Sequence, residues 1–206
     1  MIAAVDGDPA GPATHASIAV RSVRWMATAV ATSAILATAV TTAPAIATEY
    51  RADPHSYAPL LRGLQAGDTL LLAPGVYQDG LRLHNLVGTA SAPIRIRAAD
   101  PSRRPLFIAR PGANTVSLVD VDFVEVADLD LNGLGIPVDA VKAEGHARFA
   151  HHVTLERLRI VNHGRHRLNV AISTKCPAWG WVIRDNEIYR AGTGLYLGNS
   201  DGHAPF

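Results

Sequence analysis

One apolar phrase recurs along the second half of the chain. Residues 124–131 read VEVADLDL, residues 153–160 read VTLERLRI and residues 181–188 read WVIRDNEI, at an interval of roughly 28 residues. A fixed period of about 20–50 residues marks solenoids, propellers and arrays. Each copy alternates apolar with polar and is rich in β-branched side chains, so each predicts a strand and not a helix. A short strand repeated at this interval has no partner within its own copy and must pair with the next one. That requirement points to a coiled, parallel β-solenoid.

A second phrase runs interleaved with the first. Val116-Ser117-Leu118, Val141-Lys142-Ala143, Val170-Ala171-Ile172 and Leu195-Tyr196-Leu197 lie 25 to 29 residues apart. Two strand sets advancing together imply at least two parallel sheets, with corners at Asn132-Gly133, Asn162-His163-Gly164 and Ala191-Gly192. A coil this short leaves no room for crossover helices, which excludes ordinary α/β layering. Upstream, residues 67–77 are expected to give a strand, a Pro-Gly turn and an aromatic, with short strands following at 81–83, 94–98 and 106–108. Residues 59–64 carry apolar positions at helical spacing and suit a cap over the first coil, whose sheet edge and apolar interior need cover.

The N-terminal region has the pattern of an export signal. Arg21 and Arg24 precede an uncharged run from Met26 to about Val40, and Ala45-Ile46-Ala47 supplies small residues for cleavage. The run is shorter than the ~20 apolar residues of a membrane span. Residues 1–47 are therefore expected to be a signal peptide, with Val20 as an alternative start, and 48–206 to be the mature domain, secreted or periplasmic. Arg21 and Arg24 leave together with Asp6 and Asp8, so the formal charge stays at the +1 of the whole chain. That balance, with no basic run, gives no case for nucleic acid. Cys176 is the only cysteine, which excludes an intrachain disulfide, and is expected to be a buried stack residue.

The opening LQAGDTLLLAPGVY of residues 64–77 resembles the first coil of secreted right-handed parallel β-helix proteins, including pectate-lyase-like proteins and the chondroitinase/alginate lyase group. Residues 138–146, 173–181 and 196–202 resemble a bacterial branch of β-helix-repeat proteins. The likeness extends over about residues 56–206. It implies an all-β, right-handed parallel β-helix with a short N-terminal capping helix. It also implies an exported protein that acts on or binds an acidic, uronate-containing polysaccharide. Many functions use this scaffold, so a polysaccharide lyase or glycoside hydrolase stands beside a non-catalytic glycan-binding or surface-structural protein. The repeat is still running at Leu195-Tyr196-Leu197, which predicts further coils and a closing cap beyond residue 206.

Strand alternation names the candidate site. With Val141 and Ala143 inward, Lys142 and Glu144 share the outer face. With the next coil in register, Val170, Ile172 and Thr174 point in while Ala171, Ser173 and Lys175 point out, and Tyr196 emerges one coil later. A uronate lyase removes the proton next to a carboxylate and expels the glycosidic oxygen, which takes a cation, a base and an acid. Lys142, Lys175 and Glu144 are the catalytic candidates, and His146, Ser173 and Tyr196 the substrate-binding ones. Glu144 is available for a metal, with Ca2+ as the candidate cofactor. The alternative is that the lysines and Glu144 form an ordinary solvated face.

The remaining polar residues carry less. Adjacent His151 and His152 are expected on opposite faces, a poor chelating pair. His163 and His166 flank Gly164 beside Arg165 and Arg167 and read as a polar loop. Asn186 is expected to make turn hydrogen bonds. Trp179 and Trp181, two apart, are expected to share a face.

Overall fold

The computed structural model describes residues 47–198 apart from His146 and Arg165. The expected signal segment therefore lies outside the described residues except at Ala47, and so do 199–206. Alternating inward side chains give sixteen short strands, which stack in parallel as three sheets. The first sheet takes β1 (Glu49–Ala52), β2 (Thr69–Leu72), β5 (Ile94–Ala98), β8 (Val121–Ala127), β11 (Ala150–Glu156) and β14 (Val182–Arg184). The second takes β3 (Val76–Tyr77), β6 (Leu106–Ile108), β9 (Asp130–Asn132), β12 (Arg159–Val161) and β15 (Glu187–Tyr189). The third takes β4 (Leu81–His84), β7 (Val116–Val119), β10 (Val141–Glu144), β13 (Val170–Ser173) and β16 (Thr193–Tyr196). Among the described residues every strand pairing is parallel, and each of the five coils from β2 onward contributes one strand to each sheet, β1 adding a sixth strand to the first. The chain is an all-β parallel β-solenoid.

Register turns the sequence repeat into a core. In the first sheet Leu70, Ile96, Val126, Leu155 and Ile183 stand on one line through the coils. In the second the line is Tyr77, Phe107, Leu131, Ile160 and Ile188. In the third it is Leu81, Val116, Val141, Ile172 and Leu195. Most of these side chains are completely buried. Each fully buried aliphatic residue is worth about 1.5–3 kcal/mol of apolar transfer, and stacking repeats that gain at every coil.

The corner between the first and second sheets is made the same way in successive coils. Asp128, Arg157 and Asp185 hold one position of the repeated phrase, and each adopts a left-handed backbone, with φ between 55° and 60° at the two aspartates and 50° at Arg157. Asp tolerates this conformation through local hydrogen bonding. Arg157 tolerates it while its guanidinium grips Asp128 of the previous coil, with Nε donating to Oδ1 at 2.6 Å and a terminal nitrogen to Oδ2 at 2.9 Å. That fork, more than any other contact, holds the buried Asp128 carboxyl below the usual carboxylate range. Asn186 makes the expected turn bonds, accepting from Leu158 N–H and donating to the Leu155 carbonyl.

The cap is a four-residue helix, α1 (Tyr57–Leu60), running into a 3-10 turn at Leu61–Gly63. Tyr57, Leu61 and Leu64 are buried by it. The Tyr57 ring meets Tyr77 edge-on at 5.0 Å, and its hydroxyl donates to the Gly80 carbonyl at 2.6 Å. Cys176 is buried, and that burial pushes its thiol up, so it is an inert packing residue.

One register expectation fails. Ile172, and not Val170, lies opposite Val141. The long connection 162–169 lets β13 enter two residues further on, which preserves which residues point in but moves Ser173 opposite Lys142. Trp179 and Trp181 also part company. Gly180 between them takes φ +66°, leaving Trp179 exposed while Trp181 packs on the core and donates its indole N–H to the Ala150 carbonyl.

Candidate functional site

The third sheet carries a polar column on its outer face. Arg82, Ser117, Lys142, Ser173 and Tyr196 are successive register partners along it, and His84 and Glu144 each flank Val119 in a second column. Adjacent strands stand about 4.8 Å apart, so side chains from successive coils reach one another. Above them lies a groove of about 560 Å3 lined by Arg82, His84, Arg110, Ser117, Asp139, Lys142 and Glu144. A second cavity of about 380 Å3 shares Arg82, His84 and Arg110 and continues toward Tyr57 and Arg62 of the cap.

Electrostatics divide this surface. Lys142 Nζ is 2.5 Å from Glu144 Oε1, a pair that neutralises itself. Lys175 reaches Asp139 at 3.5 Å, and Asp139, buried, also accepts from the Val170 N–H at 2.8 Å. Arg110 has only a long contact of 3.9 Å to the exposed Asp79, and Arg82 has no ion pair among the described residues. These two guanidiniums are the cations with capacity to spare. His84 lines the same groove, two residues beyond Arg82 on β4, with Nε2 3.1 Å from Ser117 Oγ. Burial, and then the charge of Arg82, push its pKa down, so it is a neutral imidazole near pH 7.

The residues singled out from sequence divide accordingly. Lys142 and Glu144 line the groove, and Lys175 touches it through Asp139. Ser173 follows Lys142 on the column but is completely buried, and its Oγ finds no partner among the described residues. Tyr196 is exposed at the far end of the column. His146 lies outside the described residues. Arg82, His84 and Arg110 were not picked out by the pattern of the later coils. The alternation of Leu81-Arg82-Leu83-His84, set against Val116-Ser117-Leu118, carries the signal that places them on the same face. Ca2+ takes six to eight oxygen ligands. The groove offers two carboxylates, each already engaged by a lysine, so its residues do not fit that ion.

The histidines depart most from expectation. His163 is buried completely, with Nδ1 3.4 Å from the Val138 carbonyl, and is no solvent-facing loop residue. His151 and His152 do not diverge. His152 has φ +49°, a break in strand alternation, and both rings turn toward Asp122.

No known family's sequence profile matches the chain, nor does any curated protein. Solved structures do. A GH136 lacto-N-biosidase from Eubacterium ramulus superposes with TM-score 0.55 at 18% identity, covering 72% of this chain and 36% of that one. A mannuronic acid specific polysaccharide family 6 lyase from human gut microbiota superposes with TM-score 0.50 at 17% identity, covering 64% and 32%. This chain has their β-helix fold. It spans about a third of the length of each. Among the described residues, no helix is long and apolar enough to cross a membrane.

Proposed function

We propose that this chain is an exported β-helix protein that binds an acidic, uronate-containing polysaccharide along the groove of the third sheet and cleaves it by β-elimination. The observation that carries the reading is the groove itself. It is elongated across several coils, and two of its guanidiniums, Arg82 and Arg110, are not neutralised at close range. Guanidinium forks match carboxylates in geometry as well as charge. The likeness of fold to a polysaccharide lyase and a glycosidase supports a glycan as the ligand.

The chemistry follows from charge and protonation. A uronate held by Arg82 and Arg110 has its carboxylate charge offset, which makes the neighbouring ring proton more acidic. His84, neutral and lining the same groove as these cations, is the candidate base for that proton. The electron pair forms the new double bond as the glycosidic oxygen leaves, and the oxygen takes up a proton for which the Lys142 ammonium is the candidate donor. Lys142 and Lys175 serve in this reading as cations and not as bases, because each is held by a carboxylate.

Incubation with alginate, pectate and glycosaminoglycans, followed by ultraviolet absorbance of unsaturated products, tests the reaction. Product is expected from at least one polyanion and is expected to be lost in His84→Ala. Retention on polyanions without product from any of them would move the protein to the non-catalytic, glycan-binding class, which the self-paired Lys142 and Glu144 favour. The export reading rests on residues 21–47, and mass spectrometry of protein recovered outside the cytoplasm is expected to find an N-terminus at or near Thr48. Protein retaining residues 1–47 in the cytoplasm would exclude it.

A further inference from the structure

Three side chains on the outer face of the first sheet converge on one point. His151 Nδ1 lies 2.8 Å from Asp122 Oδ1, His152 Nδ1 lies 3.3 Å from the same oxygen, and the two Nδ1 atoms are 2.9 Å apart. Protons alone cannot satisfy this triangle. Each hydrogen bond needs one donor and one acceptor, and an ionised carboxylate only accepts. If both imidazoles donate to Asp122, two N–H groups face each other at 2.9 Å. If one imidazole accepts from the other, its lone pair faces the carboxylate. A cation at the centre is attracted to all three atoms at once.

The separations fit such an ion. Zinc binds imidazole nitrogen and carboxylate oxygen at about 2.0–2.2 Å, which puts neighbouring ligand atoms about 3.3–3.6 Å apart in a tetrahedral site, and the separations here, 2.8 to 3.3 Å, are those of a slightly contracted one. The backbone is shaped to bring the atoms together. Asp122 and His151 are register partners on β8 and β11, and the left-handed residue at His152 (φ +49°), matched by Phe123 (φ +49°) one coil earlier, turns a second histidine to the side that alternation denies it. Phe123 stacks on His152 at 4.3 Å and Trp179 stacks on His151 at 4.1 Å, fixing both rings. Gly180 leaves room for this arrangement, since a Cβ there would lie 2.5 Å from His152 Cδ2.

We propose that Asp122, His151 and His152 form a three-ligand site for a divalent first-row transition metal, with Zn2+ the best match, solvent completing the coordination shell. Two nitrogens and one carboxylate suit that class better than Ca2+ or Mg2+, which prefer all-oxygen sets. The metal joins β8 to β11 and so ties adjacent coils.

Calorimetric titration of chelator-stripped protein with ZnCl2 tests the site. Wild type is expected to bind with micromolar or tighter affinity, and Asp122→Asn and His152→Gln are each expected to weaken that binding at least about tenfold with circular dichroism unchanged. Histidine 15N NMR of the wild type gives a readout that does not depend on the variants folding. Two imidazoles are expected to show zinc on Nδ1 with Nε2 protonated. No saturable binding, unchanged affinity in both folded variants, or coordination only through Nε2 would overturn the site.

Discussion

Phe107→Ala is expected to destabilise the protein by about 3–5 kcal/mol, the range for truncating a buried phenylalanine. Phe107 is completely buried on the line between Tyr77 and Leu131, with the Tyr77 ring stacked at 4.6 Å and the Tyr57 ring edge-on at 5.9 Å. Its removal opens a cavity where the cap, the first coil and the second coil meet, and the surrounding strands cannot collapse without breaking ladder hydrogen bonds. In a domain of this size the loss corresponds to roughly 10 °C in melting temperature. Val76→Ala, on the exposed face of the same sheet, is the control and is expected to move stability by less than about 0.5 kcal/mol. Equal melting temperatures for Phe107→Ala and wild type would show that the stacked lines do not carry the fold.

Stability is expected to fall as pH drops from about 6.5 toward 4, and His163 is expected to supply the largest single part of that loss. Burial pushes its pKa down from 6.5 to about 4. Between those values the unfolded chain binds the proton and the folded chain does not, so acid favours unfolding. The contribution is complete above about pH 6.5 and is lost as pH falls toward the folded value. A shift of this size corresponds to about 3 kcal/mol. His84 and His151 are shifted in the same direction, so His163→Gln is expected to flatten the profile without abolishing it. Chemical denaturation at pH 4.5 and pH 7 measures the difference. A profile as steep in the variant as in wild type would show that His163 is not the buried neutral group described.

The fold was legible because stacking forces the sequence to repeat. Val124, Val153 and Trp181 open three copies of one phrase, and the copies align residue for residue in the first sheet. A cap was legible at residues 59–64 for a related reason, since its apolar spacing had to cover the first coil, although the helix begins two residues earlier, at Tyr57, and passes into a 3-10 turn at Leu61–Gly63. Backbone features that no residue type announces were not legible. Left-handed Arg157 and His152 break rules that hold for most L-residues, and alternation therefore sent His151 and His152 to opposite faces. The displacement of β13 came from a connection whose length says nothing of where pairing resumes. The groove was half legible. Strand parity put Lys142 and Glu144 side by side on its surface, where they pair, whereas the contact of Lys175 with Asp139 depends on a three-dimensional neighbour. Arg82 and His84 were readable by the same parity, from a coil whose short strand repeats the pattern less plainly.

The proposed function requires the groove of the third sheet to bind an acidic polysaccharide. Affinity for alginate, pectate and a neutral dextran, measured for wild type and the double variant Arg82→Ala/Arg110→Ala, tests it most directly. The account predicts that wild type binds a polyanion in a salt-sensitive manner. It also predicts that the double variant binds at least about tenfold more weakly, which corresponds to about 1.4 kcal/mol, with its melting temperature unmoved. Binding that is equal in the two proteins, or as strong to dextran as to the polyanions, would contradict it.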